Sequence, residues 1–475
     1  GWTTHRWVGT VQYSAVPQPD VEQIAATGLL PTYGMAPVIN ESDLEVLPTT
    51  ASMGDDLLYP TDTSGGGSST HIGLIPGWEA KWVVSGDYRA YQCMDAHLNA
   101  IMLYGVLWRN SAFGMMRPSD NPDGNAGSST VISTGTNVYN PPNRWDWAHA
   151  PEAGYTYYIA SDDYLALDIM MGSTALFYQL RASTGTGTDR YVSGIERGMA
   201  WLTRTLGQTV AICPDDHVNK SDWEEWLYRQ CEYQKSVSID NPVIEGSELG
   251  MIWVLNAYTT TEGVRAATWM HNFWNSAIGH VSDLDALSDM QMTDWNTLRD
   301  WTYRSTLGSL GTTPDGFCWN FANDYTMQVS NSLYPLSTMV YADDMYLEWS
   351  DVWTATHPID SCTNLMDTPN NPTSYWGNLW PALQYAVKHS AVDANDVTAA
   401  TCLSRVTNAD NYSDFLNADW SSRPEYGITA PDPVQSSSVL STVTITETVP
   451  NDVVSFVWTP TKDINGDILS GSVAN

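Results

Sequence analysis

Apolar residues change their spacing twice along the chain, and the changes divide it into three parts. Residues 1–70 show no period; they are rich in Pro, Gly, Thr and Ser and end in the hinge-like "TDTSGGGSST" (Thr61–Thr70), which predicts an irregular arm packed on the helical body. From His71 to about Val406 apolar positions recur at helical spacing, in helix-length stretches separated by loops rich in Asn, Asp, Gly and Pro. That spacing predicts an all-α body over residues 71–430. Beyond it, "SSSVLSTVTITETVPNDVVSFVWTPTKDINGDILSGSVAN" alternates Val, Thr, Ile and Phe with polar residues. Residues 431–475 therefore read as strands, with "DINGD" (Asp463–Asp467) as a turn between two of them.

Two stretches of the body look like copies of one unit: "HIGLIPGWEAKWVVSGDYRAYQCMDAHLNAIMLYGVLWR" (His71–Arg109) and "HAPEAGYTYYIASDDYLALDIMMGSTALFYQLR" (His149–Arg181). Each has a His, a Pro and an aromatic helix, then S-G-D-Y or S-D-D-Y, then a second helix. Helix, tight turn and helix make an αα-hairpin, and regular recurrence of hairpins builds a helical toroid or solenoid. Ser193–Gly207, Gly246–Trp274 and Tyr375–Val406 fit the same alternation, each predicted to bury one apolar stripe. The expected fold class is mainly α, an (α/α) toroid of hairpins with a small β-rich C-terminal segment.

Chemistry concentrates in "RWDWAHAPEAGYTYYIASDDY" (Arg144–Tyr164), which holds a histidine, four tyrosines, two tryptophans and four carboxylates in a chain only 16% charged. Pro151 suits the first turn of a helix, which places Asp146 and His149 on the loop before it. Tyr155, Tyr158 and Asp162 then fall at i, i+3 and i+7 and share a face. Free N–H groups and the positive dipole end at a helix start favour anionic or hydroxyl-rich ligands.

Composition narrows the partners. The 22 Trp and 25 Tyr against 7 Phe are aromatics with a polar handle or a broad stacking face, a choice that suits sugars as well as helix interfaces. A formal charge of −34 argues against nucleic acid or an anionic membrane surface. No apolar run reaches the roughly 18 residues that a membrane span needs, so no membrane insertion is expected. Six cysteines without a C-x-x-C spacing exclude zinc knuckles and thioredoxin-like sites and are compatible with disulfides, Cys213–Cys231 being the favoured pair. A secreted or cell-surface location is expected. No cofactor is expected, calcium at the alternating oxygens of "DINGD" being the one candidate beside the plainer Asp-Gly turn.

The G-x-S-x-G, Walker-type and H-E-x-x-H signatures are absent, which disfavours serine hydrolases, P-loop enzymes and zincins. The His-x8-Tyr spacing of His149 and Tyr158, in a chain of aromatic helical hairpins, resembles the His and Tyr of (α/α)-toroid polysaccharide lyases of the chondroitin and hyaluronan type. "PGWEAKWVVSGDYRA" and "YWGNLWPALQYAVKHSA" are similar to hairpins of toroidal lyases and six-hairpin glycosidases generally. The resemblance spans Ile72–Thr407 in texture and the short window in motif. It implies that Tyr158 acts as acid/base with His149 assisting; no segment matches the family's Asn motif. β-Elimination needs a base for the C5 proton, a proton for the leaving oxygen and a partner for the uronate carboxylate, for which Arg144 is the planar bidentate candidate. Trp78, Trp145, Trp147 and Tyr155 are candidate stacking faces, with Asp146, His71 and Glu245 as polar contacts. His71, equivalent in the first copy to His149, is a second site residue or a structural mark of the repeat. Hydrolysis by paired carboxylates remains open, with Asp146 or Glu152 opposite Glu245, Glu248, Asp343 or Asp344. So does a non-catalytic carbohydrate-binding or structural surface or virion protein. "FVWTPTKDINGDIL" resembles the opening strands of a fibronectin type III-like module; either the polypeptide continues beyond it or these strands pack on the body.

Overall fold

The computed structural model describes residues 27–31, 39–55, 57–58, 72–102, 117–119, 150–181, 191–192, 196–240, 246–252, 258–259, 263–312, 316–331, 345–366, 372–412, 444–449, 452–462 and 468–474. The chain divides into two compact units, Gly1–Thr429 and Ala430–Asn475. The first is mainly helical. Its helices are α1 Glu41–Glu45, α2 Gly77–Ser85, α3 Tyr88–Ile101, α4 Tyr155–Ser161, α5 Tyr164–Arg181, α6 Glu196–Ile212 and α7 Lys220–Ser238. They continue with α8 Thr268–Leu284, α9 Asp289–Ser309, α10 Trp349–Thr356, α11 Pro372–Lys388 and α12 Ala399–Thr407.

The repeated S-x-D-Y motif builds the same turn twice. In the α2–α3 hairpin Ser85 Oγ donates to Lys81 O at 2.6 Å and accepts from Asp87 N at 3.0 Å, while Asp87 Oδ1 accepts from Arg89 N at 2.8 Å. In α4–α5 the corresponding distances are 2.6, 3.2 and 2.9 Å, through Ser161, Asp163 and Leu165 N. The residue between Ser and Asp takes a left-handed conformation in both, Gly86 at φ 63° and Asp162 at φ 56°, and closes the preceding helix on a carbonyl four residues back. Short polar side chains thus stop one helix and cap the next within two residues. The α6–α7 turn is closed differently: Lys220 Nζ donates to Val210 O and Cys213 O at 2.7 and 3.2 Å, covering carbonyls that the end of α6 leaves free.

The expectation of one buried stripe per helix fails for α6 and α8, which are buried nearly all round. They pack extensively on each other, and α8 also packs on α9 and α11. Small residues permit the approach: a Cβ on Gly207 would lie 2.6 Å from Val281 Cγ2, and one on Gly279 would lie 2.5 Å from Tyr303 Oη. Trp223, Trp226, Trp274 and Trp295 fill the surrounding core with 0 to 1% exposure. Each such residue contributes about 3–5 kcal/mol against truncation to Ala.

The body is not wholly helical. Gly246–Trp274, read from sequence as part of the hairpin alternation, is non-helical through Ile252 and contributes β1 (Tyr258–Thr259) and β2 (Val264–Ala266) before α8 begins. With β3 (Met327–Ser330) these form an antiparallel sheet in the order β1-β2-β3. Gly263, at φ 144°, sits where any Cβ would lie 2.0 Å from Ser330 O, so the sheet needs glycine there. The disulfide also differs from the sequence expectation. It joins Cys318 to Cys362, with Cα atoms 5.6 Å apart, while Cys213 and Cys231 are free and buried. Cys213 follows the end of α6 and Cys231 lies deep in α7, roughly 16 Å along that helix from its start, beyond the reach of a bridge.

The second unit contains β4 (Thr444–Val449), β5 (Asp452–Lys462) and β6 (Ile468–Ala474), antiparallel in that order. Thr444 pairs with Val457, and Val457 with Ala474. The predicted "DINGD" turn lies between β5 and β6 and outside the described residues.

Candidate functional site

Of the residues singled out by sequence, His71, Arg144, Trp145, Asp146, Trp147, His149 and Glu245 lie outside the described residues, as do Asp343 and Asp344. Trp78, Tyr155 and Tyr158 are described and do not form one surface. Trp78 is 2% exposed and stacks on His97 with ring centroids 4.0 Å apart, which makes it a core side chain with no open face for a sugar. Tyr155 is fully buried, and its hydroxyl donates to Leu29 O at 2.6 Å, pinning a piece of the N-terminal segment. Tyr158 is half-buried, edge-on to Tyr164 at 6.5 Å, and burial followed by the nearby Asp162 holds its phenol protonated above the usual range.

Of the predicted face of Tyr155, Tyr158 and Asp162, the last two do lie together, Asp162 closing α4 as its left-handed cap, but Tyr155 is buried apart from any open surface. Pro151 does not open the helix. Residues 150–153 are non-helical and buried; Gly154, at φ 101°, leads into Tyr155, whose N–H donates to the Glu152 carboxylate. Glycine is required at 154, where a Cβ would lie 2.9 Å from Ala166 O.

That buried lead-in belongs to a polar node centred on α6. Arg204, with no exposed surface, donates to Gly73 O, to Ala150 O at 3.0 Å and to Thr205 Oγ1 at 3.1 Å, and lies over the Trp201 ring at 5.0 Å. One turn later Gln208 Nε2 donates to Leu74 O at 3.0 Å. Arg204 and Gln208 therefore hold the carbonyls of both segments that lead into α2 and α4. Glu79 and Glu152 face each other beside them at 3% and 1% exposure. Burial and repulsion from Glu152 push Glu79 well above the usual carboxylate range, so Glu79 carries the proton. Burial also raises Glu152, against the hydrogen bond from Glu79, the Tyr155 N–H and the charge of Arg204. Burial lowers Arg204 to about 10, which leaves it cationic at neutral pH. One proton shared by two carboxylates then balances one guanidinium. Gln208 Nε2 also approaches His280 Nε2 at 3.3 Å, and Tyr385 Oη lies 3.3 Å from His280 Nδ1. Burial lowers His280 to about 3, so it is a neutral imidazole accepting at Nε2.

A second node, more open to solvent, joins the starts of α6, α8 and α11. Glu196 and His271 are buried with His271 Nε2 3.6 Å from Glu196 Oε1. Burial pushes Glu196 up to about 8 and His271 down to about 3, so at neutral pH they form an uncharged acid and imidazole. The Arg197 guanidinium lies 5.6 Å from the Trp269 ring centre. Tyr325 lies near-parallel to Trp269, at 6.0 Å and 29°, and Tyr375 is 5.3 Å from Trp269 and 5.9 Å from Tyr325. Trp269 is 4% exposed and Tyr325 42%, so the rings step from core to surface. The Tyr325 segment is fastened behind by the Cys318–Cys362 disulfide and by His357, whose Nε2 meets Asp324 Oδ2 at 2.6 Å and whose Nδ1 meets Asp360 Oδ2 at 2.9 Å.

Sequence reasoning missed this node because Arg197, Trp269, Tyr325 and Tyr375 are far apart in the chain. The available signal was positional: Glu196-Arg197 and Trp269-x-His271 are ionisable and aromatic residues in first helical turns. Among the described residues no group of three or more His, Cys, Asp or Glu is placed to hold a metal, and no helix is long and apolar enough to cross a membrane. Compared by sequence with known protein families and with curated proteins, the chain matches none.

Proposed function

We propose that the first unit is an (α/α) toroid and that the protein is an extracellular enzyme cleaving uronate-containing polysaccharides by β-elimination. The observation that carries this reading is the rhythm of the connections. Five helix pairs, α2–α3, α4–α5, α6–α7, α8–α9 and α11–α12, are joined by short turns, whereas long segments lead back to α4, α6, α8 and α11. These four first helices contact one another in chain order, as an inner ring of helices does. Long connections at the starts of inner helices are where such a scaffold carries function. The Cys318–Cys362 disulfide supports an oxidising, extracellular setting.

In the proposed reaction His149 removes the C5 proton, the electron pair forms the C4–C5 double bond as the C4–oxygen bond breaks, and Tyr158 protonates the departing oxygen. The raised phenol of Tyr158 supports the acid role. Arg144 pairs with the carboxylate as it gains enolate character, with Trp145, Trp147 and Asp146 contacting sugar. The hydrolase alternative receives no support from Glu152, whose carboxylate neighbour, Glu79, is as sealed from substrate and water as itself.

The test is absorbance at 235 nm during incubation with a panel of polyuronates, with His149→Ala and Tyr158→Phe beside the wild type. A rise lost in both variants is expected. Reducing ends released from a neutral glycan without that rise would replace elimination by hydrolysis; glycan binding without cleavage would leave a binding protein.

A further inference from the structure

We propose that Tyr325, Tyr375 and Trp269, with Arg197 beside them, form a subsite for an acidic sugar residue, the sugar ring lying on Tyr325 and its carboxylate on the Arg197 guanidinium. The assignment rests on the polysaccharide reading but uses none of the residues given to the reaction. Four elements converge here from distant parts of the chain: the starts of α6, α8 and α11, and the segment before β3. The electrostatic surroundings of the Tyr375 phenol include both Tyr325 and Arg197, which places all three groups about one spot. The stepped exposure leaves Tyr325 as the ring that a ligand meets first, with Trp269 as its backing.

Charge supports an anionic occupant. Arg197 is one of only 20 basic residues against 54 acidic ones, and its half-buried side chain lies over an aromatic ring. A planar guanidinium offers a carboxylate two parallel hydrogen bonds, and a flat ring beside it fixes the sugar's orientation. The disulfide and the Asp324–His357–Asp360 latch hold the Tyr325 segment from behind, so little ordering remains for the ligand to impose.

The test is isothermal titration of the whole protein with alginate, pectate and hyaluronan hexasaccharides, with cellohexaose as the neutral control. At least one acidic hexasaccharide is expected to bind more tightly than cellohexaose and to weaken with salt. Arg197→Gln should reduce that affinity by about 10- to 100-fold, the loss of a hydrogen-bonded charge pair. Tyr325→Ala should reduce it about fivefold, with Tyr325→Phe near wild type. Because Tyr325 is exposed, its variants test the subsite even where Arg197→Gln perturbs folding. Binding of no acidic hexasaccharide, or binding unchanged in both Arg197→Gln and Tyr325→Ala, would overturn the subsite. Absorbance at 235 nm on the same samples separates the two claims. Variant-sensitive binding without absorbance keeps the subsite and removes elimination, whereas absorbance indifferent to both variants does the reverse.

Discussion

Replacing Glu79 with Gln tests the charge state of the node around Arg204. If Glu79 is the protonated partner, a neutral amide of the same shape substitutes for it, and only the second amide hydrogen lacks a place, at a cost of about 1–2 kcal/mol. The pH dependence should move the other way. In the unfolded chain Glu79 ionises near its ordinary 4.5, whereas the fold keeps it protonated well above that. The folded state therefore binds one more proton over that interval, and wild-type stability falls as pH rises through it, by about 1.4 kcal/mol per unit. Glu79→Gln removes this contribution, so variant minus wild type should climb towards the variant by about that slope between pH 5 and 6.5. Urea unfolding at fixed pH steps, with groups remote from the node cancelling in the difference, measures it. Glu152→Gln gives the contrast: it strips Arg204 of its ionised partner and should destabilise by about 3–5 kcal/mol unless Glu79 ionises in its place. A flat difference for Glu79→Gln would mean that Glu79 is ionised in the fold, and the proton-sharing account of the node would be wrong.

His357 should act with the same sign in a higher pH window. Burial opposes its charge, but Asp324 and Asp360 outweigh burial and raise it above 6.5, so its contribution is full below that value and disappears as pH rises through the folded-state value. Thermal unfolding should accordingly show a wild-type advantage over His357→Gln that shrinks as pH rises from 6 to 9; an advantage constant with pH would exclude the charged latch. Gly279→Ala places a methyl 2.5 Å from Tyr303 Oη and 2.7 Å from the Tyr385 ring, both in the core, and should cost about 1–3 kcal/mol in urea unfolding despite the better helix propensity. An unchanged midpoint would show that α8, α9 and α11 are less closely packed than described. Alkylation of the unfolded, unreduced chain should modify Cys93, Cys213, Cys231 and Cys402 and leave a Cys318–Cys362 peptide pair in mass spectrometry. Recovery of a Cys213–Cys231 pair would contradict the placement of α6 and α7.

Local chemistry was the legible part of the fold. S-G-D-Y and S-D-D-Y announce their turns because every partner in them lies within four residues, and the helical spacing on either side needs only its own period. The strands after residue 430 were legible for the same reason. What the sequence hid is long-range and polar. Thr203, Arg204, Gln208, Asn272, Asn275 and His280 look like one solvated side of α6 and α8, yet all are buried. Glu79 and Glu152 were indistinguishable from the other acids of a strongly negative chain until the fold placed them together. Cys318 finds Cys362 across a sheet strand and a helix, a pairing that spacing does not announce. At the candidate site the sequence located a chemically dense window but not the crown around Trp269, whose members come from four separate segments.

The polar interior follows from the shortness of α2 and α4. The segments that lead into them, residues 72–76 and 150–154, pass through the packed interior as non-helical backbone, where each carbonyl needs a donor that a continuing helix would have supplied. α6 provides those donors from side chains at helical spacing: Arg204 for Gly73 and Ala150, Gln208 for Leu74. A guanidinium sealed in this way requires counter-charge, and Glu79 and Glu152 provide it from the very helix and lead-in it holds. Two carboxylates exceed the need by one charge, which one retained proton removes. The node is therefore accounted for by backbone satisfaction, with no catalytic role required of it. It also gives the two lead-in segments fixed, buried anchors, and fixed anchors are what a loop-borne site needs to hold its geometry. On the proposed reading, chemistry falls to the segments that the node steadies and sugar binding to the crown at the helix starts. A sealed pair of carboxylates, however conspicuous its titration, belongs to the scaffold.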